Sequence, residues 1–218
     1  VDAGTGIALT VEADDVTIDG VQLEGAGGII IDGTNASATG LTVQNNRFRN
    51  DRFGLSVTDV TSGSGGIDIT ANLVDLTTQF YQNDPNQPTA GFNLRTIDLA
   101  TPPSLTNNVF QDTDNNTFTA FFGIIFDGVN GTSGTNGGMA TISGGTISGT
   151  AQAIAILDGE NGAGLTMSNG TQSPDESNFS IDGVTMNTFI GDADNVGGNN
   201  SIDFHAGVFV FTGGSPGS

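Results

Sequence analysis

The hexapeptide Val43-Gln44-Asn45-Asn46-Arg47-Phe48 carries the pattern that decides the fold: an apolar residue, a short run rich in Asn or Gly, and another apolar residue. Five other segments repeat it, beginning at Ile18 (IDGVQL), Ile69 (ITANLV), Leu105 (LTNNVF), Ile142 (ISGGTI) and Ile181 (IDGVTM). Successive segments begin 25, 26, 36, 37 and 39 residues apart. A period that lengthens along the chain is typical of a solenoid with loops inserted into some of its turns.

A second series of segments interleaves with the first. Each consists of a Gly or Ala followed by an alternating apolar triplet, and the series begins at Gly6, Gly28, Gly54, Gly91, Gly123, Ala153 and Gly207. Alternation over three to five residues is the period of a strand with one buried face. No stretch keeps apolar residues at helical spacing for long enough to make a helix, so the sequence predicts an all-β chain.

The repeated corner resembles that of the right-handed parallel β-helix proteins, the pectin-lyase-like superfamily, over roughly residues 1–211. The resemblance implies a sharp turn through a residue with positive φ, which Asn and Gly adopt most easily. It also implies a ladder of stacked Asn side chains, here Asn46, Asn72 and Asn108, with Gly145 and Gly20 as gaps in it. We expect one solenoid domain over 1–211 with about seven to eight coils, followed by a flexible Gly/Ser tail at 212–218.

The aromatic residues and the loops fit this architecture. Five of the 14 Phe residues fall at alternating positions that we expect to face inward, namely Phe48, Phe92, Phe110, Phe126 and Phe209. Stretches rich in Gly, Asn, Asp, Pro and Ser at 79–90, 128–138, 169–178 and 191–200 are typical of inserted surface loops.

The charge balance is strongly acidic, with 24 Asp and Glu against four Arg, no Lys and one His, for a formal net charge of -20. Such a charge argues against nucleic acid and anionic membrane surfaces as partners. The absence of Cys excludes disulfides and thiol catalysis. No apolar run is long enough to insert into a membrane. Because the chain begins at Val1, we expect a mature product or a segment of something longer, and we expect it to be extracellular or at the cell surface.

A single basic cluster could bind a ligand. Arg47 and Arg49 flank the inward Phe48, with Arg52 close by. Lyases of this fold resemble one another in using an Arg or Lys, together with Ca²⁺ held by Asp, to act on a uronate. The resemblance therefore implies an alternative function, carbohydrate binding or polyuronate lyase-like activity, in which these three Arg side chains bind the sugar. The competing interpretation is that the cluster pairs with neighbouring acids, namely Asp51, Glu24 and Asp75.

The enzyme fingerprints of the superfamily are missing. The polygalacturonase set includes a paired Asp-Asp, present as Asp14-Asp15, but also a Gly-His-Gly and an Arg-Ile-Lys that this chain lacks. The pectate-lyase Trp-Ile-Asp-His and Arg-x-Pro-x-x-Arg patterns are absent as well. With one Tyr and no Trp, the chain has few of the aromatic side chains that usually stack on sugar rings. His205 alone could serve a nucleophilic triad, and no partner for it is evident. We therefore predict no enzyme and no catalytic residue.

Two oxygen-rich turns are candidates for calcium. One holds Asp112 and Asp114, and the other holds Asp192 and Asp194. Neither completes the calcium-loop pattern of alternating Asp or Asn, a Gly and a closing Glu. The sequence therefore predicts no obligatory cofactor and leaves Ca²⁺ as the one ion that these loops would accept.

What remains is a structural role. A β-helix exposes unpaired strand edges at both ends unless they are covered, and apolar strands stand near both ends of this chain. The expected assembly edges are Ile7, Leu9, Val208, Phe209 and Val210. We expect a self-assembling filament subunit, or a segment of an adhesin or passenger stalk that joins flanking parts of a longer chain. The alternative is the carbohydrate-binding or polyuronate lyase-like protein described above.

Overall fold

The structure, a computed structural model, describes residues 7–32, 39–60, 65–75, 90–111, 120–129, 140–148, 150–158, 179–187 and 206–212. Within these ranges the chain forms seventeen strands and no helix. In chain order they are β1 (Ile7–Val11), β2 (Thr17–Asp19), β3 (Gln22–Asp32), β4 (Leu41–Gln44), β5 (Arg47–Val60), β6 (Ile67–Thr70), β7 (Leu73–Asp75), β8 (Ala90–Ile97), β9 (Ser104–Thr106), β10 (Val109–Gln111), β11 (Ala120–Val129), β12 (Ala140–Ser143), β13 (Thr146–Ser148), β14 (Thr150–Asp158), β15 (Phe179–Asp182), β16 (Thr185–Asn187) and β17 (Ala206–Thr212).

The strands stack into three faces. A six-stranded sheet in the order β15-β12-β9-β6-β4-β2 makes the first face. An eleven-stranded sheet makes the other two, because β5 pairs with β7 through its first residues and with β8 from Phe53 to Val60. The second face holds the short strands β7, β10, β13 and β16 with the beginnings of β3 and β5. The third face holds β1, the ends of β3 and β5, β8, β11, β14 and β17.

Every pairing between the described strands is parallel, and each strand pairs with its equivalent one turn away along the chain. Parallel pairing needs a long crossover connection between the partners, and here the crossover is the path over the two other faces. The prediction of an all-β chain of stacked parallel strands is confirmed. The chain is a parallel β-solenoid.

Columns of inward side chains fill the interior. On the first face, Ile18, Val43, Ile69, Leu105 and Ile142 share one register, and each is at most 8% exposed. Such a column is what the sequence predicts from apolar residues at the start of each repeated segment. No single strand buries much area, so the stability of each coil depends on the coils stacked against it.

The predicted phenylalanine stack is present in part. Phe48, Phe92, Phe110 and Phe126 have no exposed surface, and Phe92 lies edge-to-face against Phe48 and Phe110 with ring centroids 6.1 and 4.8 Å away. Phe209 was expected to join them, and its side chain lies outside the described residues. The backbone of β17 places it in register with Ala155 and Ile125.

A small residue at the start of each third-face strand leaves room for these rings. A Cβ atom at Gly91 would overlap the ring of Phe110, and one at Gly54 would meet the ring of Phe48. Close packing against the second face therefore requires Gly at these two positions and at Gly123, where a Cβ atom would overlap the side chain of Ile147.

The predicted loops fall almost wholly outside the described residues. At their margins β8 begins at Ala90, and β11 continues to Val129. The last strand, β17, extends to Thr212, one residue beyond the boundary expected for the tail.

Candidate functional site

The corner between the first and second faces is the most regular feature of the molecule. One residue in each turn adopts a positive φ there: Gly20 (69°), Asn45 (54°), Ala71 (54°), Asn107 (54°), Gly144 (60°) and Gly183 (64°). Five of the six are Gly or Asn, as the resemblance implied. Ala71 is the exception, since a Cβ atom makes this conformation unfavourable.

The residue after the positive-φ position carries the Asn ladder. The Nδ2 atom of Asn46 donates to Oδ1 of Asn72 over 3.1 Å, and Nδ2 of Asn72 donates to Oδ1 of Asn108 over 3.0 Å. Each Oδ1 also accepts the backbone N–H of the Asn one turn before it. The second proton of each amide goes to a backbone carbonyl, that of Ile18, Val43 or Ile69. These side chains are 1–6% exposed, so the ladder satisfies buried polar groups that would otherwise be costly.

The ladder ends differently at its two ends. In the first turn Val21, and not Gly20, occupies the ladder position, and its N–H donates to Oδ1 of Asn46 over 3.0 Å. At the other end Gly145 follows Gly144, and both have positive φ. A Cβ at Gly145 would collide with the backbone of Asn108, so this turn could not hold an Asn in the same conformation.

A small void lies beside the end of the ladder. Its lining includes Asn108, Phe110, Ile147 and Val184, and its volume is about 10 Å³, enough for about one water molecule. Its walls are core residues of neighbouring turns, so it is a packing void and is far too small for a sugar.

The Arg cluster lies on the second face, where Phe48 is inward and its neighbours Arg47 and Arg49 are about 40% exposed. Arg47 Nη2 lies 2.6 Å from Oδ2 of Asp75, whose side chain is fully buried. Arg49 contacts the same Oδ2 at 3.6 Å through Nε and reaches Oε1 of Glu24 at 3.1 Å through Nη1. Glu24 also accepts a 2.6 Å hydrogen bond from Gln22.

These contacts balance the charge of the cluster. The register brings Glu24 beside Arg49 on neighbouring strands, so two carboxylates face two guanidinium groups. The Nε atoms of both Arg are buried and form no hydrogen bond, which leaves them out of reach of a ligand. Of the two interpretations of this cluster, the geometry of Arg47 and Arg49 fits pairing with acids better than capture of an anionic sugar.

Several candidates lie outside the described residues. They include the oxygen-rich turns with Asp112, Asp114, Asp192 and Asp194, the single His205, and the side chains of Asp51 and Arg52. Within the described ranges, no group of three His, Cys, Asp or Glu side chains is placed to hold a metal ion.

Both ends of the third face carry exposed apolar side chains. Among the described strands β1 pairs only with β3 and β17 only with β14. Ile7 is 48% exposed and Val208 is 40% exposed, while Leu9 is half-buried. For Phe209 and Val210 only the strand register is described, where they pair with Ala155 and Ile156.

The corner between the third and first faces was missed by sequence reasoning. Oδ1 of Asp14 accepts both the N–H and the hydroxyl of Thr39 over 2.7 and 3.1 Å, and Asp15 adopts a φ of 56°. The paired acids therefore serve a turn. The signal available was an Asp-Asp pair directly before a strand, which is common turn chemistry.

Comparison of the chain with models of protein families, with curated proteins and with solved structures gives no match. Among the described residues, no helix is long and apolar enough to cross a membrane. The class of protein is therefore the one that the fold and the corner define, a parallel β-solenoid with an internal Asn ladder.

Proposed function

We propose that the chain is an extracellular structural protein: a right-handed parallel β-helix of the pectin-lyase-like type, with about seven to eight coils. It acts as a self-assembling surface fibre subunit or as a segment of an adhesin or passenger stalk. The observation that carries this proposal is the exposure of interior side chains at both ends of the third face.

One column runs through both ends of the third face, from half-buried Leu9 to exposed Val208. Leu9 and Val208 share the register of Ile29, Leu55, Phe92, Ile124 and Ile154. The five inner members of that column are at most 1% exposed. Val208 is 40% exposed, and among the described strands it has a neighbour on one side, in β14. A second copy whose Leu9 lies over Val208 would continue the column and bury both.

The corner at the last described turn supports the same reading. The N–H groups of Gly20, Asn45, Ala71, Asn107 and Gly144 each donate to a carbonyl of the next turn over 2.8–3.2 Å. The N–H of Gly183, at the equivalent position, donates to no carbonyl in the described part of the chain. Where the groups of a strand edge have no partner, the edge is a template for another strand. Addition of copies in one direction does not close on itself, so it gives a fibre.

The polysaccharide alternative has less support. An anionic sugar needs unpaired cationic groups, and Arg47 and Arg49 already face Asp75 and Glu24. With a net charge of -20, the protein as a whole also repels polyuronates.

Negative-stain electron microscopy of the purified chain, with and without millimolar Ca²⁺, tests the proposal. We expect filaments with an axial repeat of roughly 34 Å, the height of the seven strands stacked on the third face. A requirement for Ca²⁺ would implicate the acidic loops in the junctions. Monodisperse short rods under all conditions would contradict self-assembly.

A matched pair of variants separates edge contact from general charge. Val208→Asp places a carboxylate on the exposed column and should abolish filaments. Thr141→Asp adds the same charge on the first face, where Thr141 is exposed and away from the ends, and should leave them intact. Equal loss in both variants would show that charge alone governs association.

A further inference from the structure

Asp–Gly sequences recur at the corner between the first and second faces. Asp19-Gly20 occupies it in the first turn and Asp182-Gly183 in the last described turn. In both, the Gly holds the positive φ of the corner, with values of 69° and 64°. The two sites therefore share sequence and backbone conformation and differ in their neighbours.

In the first site, hydrogen bonds hold both reactive groups, the amide nitrogen of Gly20 and the carboxylate of Asp19. The N–H of Gly20 donates to the carbonyl of Gln44 over 3.2 Å. The carboxylate of Asp19 accepts Nδ2 of Asn45 over 2.9 Å and Nε2 of Gln44 over 3.0 Å. The next turn thus fixes both the amide nitrogen and the carboxyl group.

Among the described residues, the last site has none of the equivalent hydrogen bonds. Asp182 and Gly183 are both exposed, and the N–H of Gly183 donates to no described carbonyl. No described side chain donates to the carboxylate of Asp182, and a Cβ atom at Gly183 would touch only the backbone of Gly144 at 3.9 Å. No described residue therefore holds the two reactive groups apart.

We propose that Asp182-Gly183 is a site of spontaneous isoaspartate formation. The amide nitrogen of Gly183 attacks Cγ of Asp182, the N–H proton and the carboxyl hydroxyl leave as one water molecule, and a five-membered succinimide closes. Water then opens the ring at either carbonyl. Opening at the α-carbonyl gives isoaspartate, in which the main chain runs through the former side-chain carboxyl. No oxidant, reductant or other co-reactant is needed.

The product would alter the last turn. Isoaspartate adds a methylene to the main chain between β15 and β16, at the residue whose carbonyl accepts the N–H of Gly144 over 2.9 Å. Pairing in a parallel sheet has a strict register, so one additional backbone atom disrupts the hydrogen bonds of this turn with its neighbour. The modification therefore weakens the last described turn and leaves the turns before Gly144 unchanged. This inference does not depend on the proposed function.

The test is prolonged incubation of the full chain at neutral pH, at a concentration where sedimentation shows a monomer. Digestion with an endoproteinase that cuts before Asp but not before isoaspartate, followed by mass spectrometry, assigns each site separately. We expect isoaspartate at Asp182 to exceed that at Asp19 by roughly fivefold, as opening a single hydrogen bond would give. Asp127-Gly128 lies inside β11, which is paired on both sides, and should stay low.

Two further arms make the result decisive. In denaturant the two corner sites should react at similar rates, because only the fold distinguishes them. Asn45→Gly removes one donor from Asp19 while keeping a residue suited to positive φ, and it should raise isoaspartate at Asp19 without changing Asp182. A native ratio near one, or a native ratio equal to that in denaturant, would overturn the proposal.

Discussion

The side-chain amide of Asn72 lies directly on that of Asn108: a single oxygen, Oδ1 of Asn108, accepts both Nδ2 and the backbone N–H of Asn72, each over 3.0 Å. The two residues are 36 positions apart in sequence and one turn apart in space. The same arrangement links Asn72 to Asn46. Asn72 is therefore the central rung, with hydrogen bonds to both neighbouring turns.

Replacement of this rung should be among the most damaging polar substitutions. Asn72→Ala leaves the backbone N–H of Asn46 without its acceptor in a buried environment. It also removes the hydrogen bonds of the Asn72 side chain with Nδ2 of Asn46, the carbonyl of Val43 and Oδ1 of Asn108. We expect a loss of about 3 kcal/mol in the free energy of unfolding, measured by chemical denaturation. Asn93→Ala, which removes a half-buried hydrogen bond to Ser56, is the control and should cost about 1 kcal/mol or less. Equal effects would contradict the role of the ladder.

A substitution at the strained corner residue Ala71 should instead increase the stability of the protein. Its φ of 54° costs an L-residue with a Cβ atom roughly 1–2 kcal/mol. Ala71→Gly should therefore stabilise the protein by about 1 kcal/mol after the entropy of Gly is allowed for. Ala8→Gly in the extended strand β1 should be mildly destabilising. Thermal denaturation of both variants decides the matter, and a destabilised Ala71→Gly would rule out strain at this corner.

Asp19 gives the corner a pH dependence. Hydrogen bonds from Asn45, and then from Gln44, lower the pKa of Asp19 below the ordinary value of an aspartate. Because the folded-state pKa is the lower one, the stabilisation is present above the unfolded value and is lost as pH falls through the folded value. Titration by NMR should give a lowered pKa for Asp19, and Asn45→Gly should raise it. An unchanged pKa in that variant would show that the amide does not hold the carboxylate.

The Arg cluster should act on stability unequally. Arg47→Gln leaves the buried carboxylate of Asp75 with Arg49 at 3.6 Å, and should cost about 2 kcal/mol, a value discounted for the exposure of Arg47. Arg49→Gln mainly loses a pair with Glu24 in which both side chains are at least one-third exposed, and should cost less than about 1 kcal/mol. Chemical denaturation ranks the two. If Arg49→Gln were the more damaging, Asp75 would not be the anchor of the cluster.

The sequence predicts the repeated elements well because their signals are local. An apolar residue at each end of the corner and an Asn or Gly between them report on burial and on φ within a few residues. This reasoning correctly placed Val43 and Phe48 in the interior. It could not foresee Ala71 at positive φ, because the neighbouring turns stabilise that conformation against its own preference.

Contacts that depend on the register between strands were harder to predict from the sequence. The sequence left Asp51, Glu24 and Asp75 as equal partners for the Arg cluster, and only the stacking of β3, β5 and β7 brings two of them to it. A one-residue shift of register also exchanges inward and outward positions. That is why the ladder position of the first turn was assigned to Gly20, although Val21 occupies it.

The most direct test of the structural account uses the absence of Cys from the chain. Leu9→Cys and Val208→Cys are made in separate chains, mixed, and oxidised under mild conditions. If copies stack end to end with the column continued, mixed disulfide dimers should form faster than dimers of either variant with itself. Thr141→Cys in place of Val208→Cys should give no such preference. Absence of mixed dimers, or dimers in the proportions of random collision, would contradict end-to-end assembly.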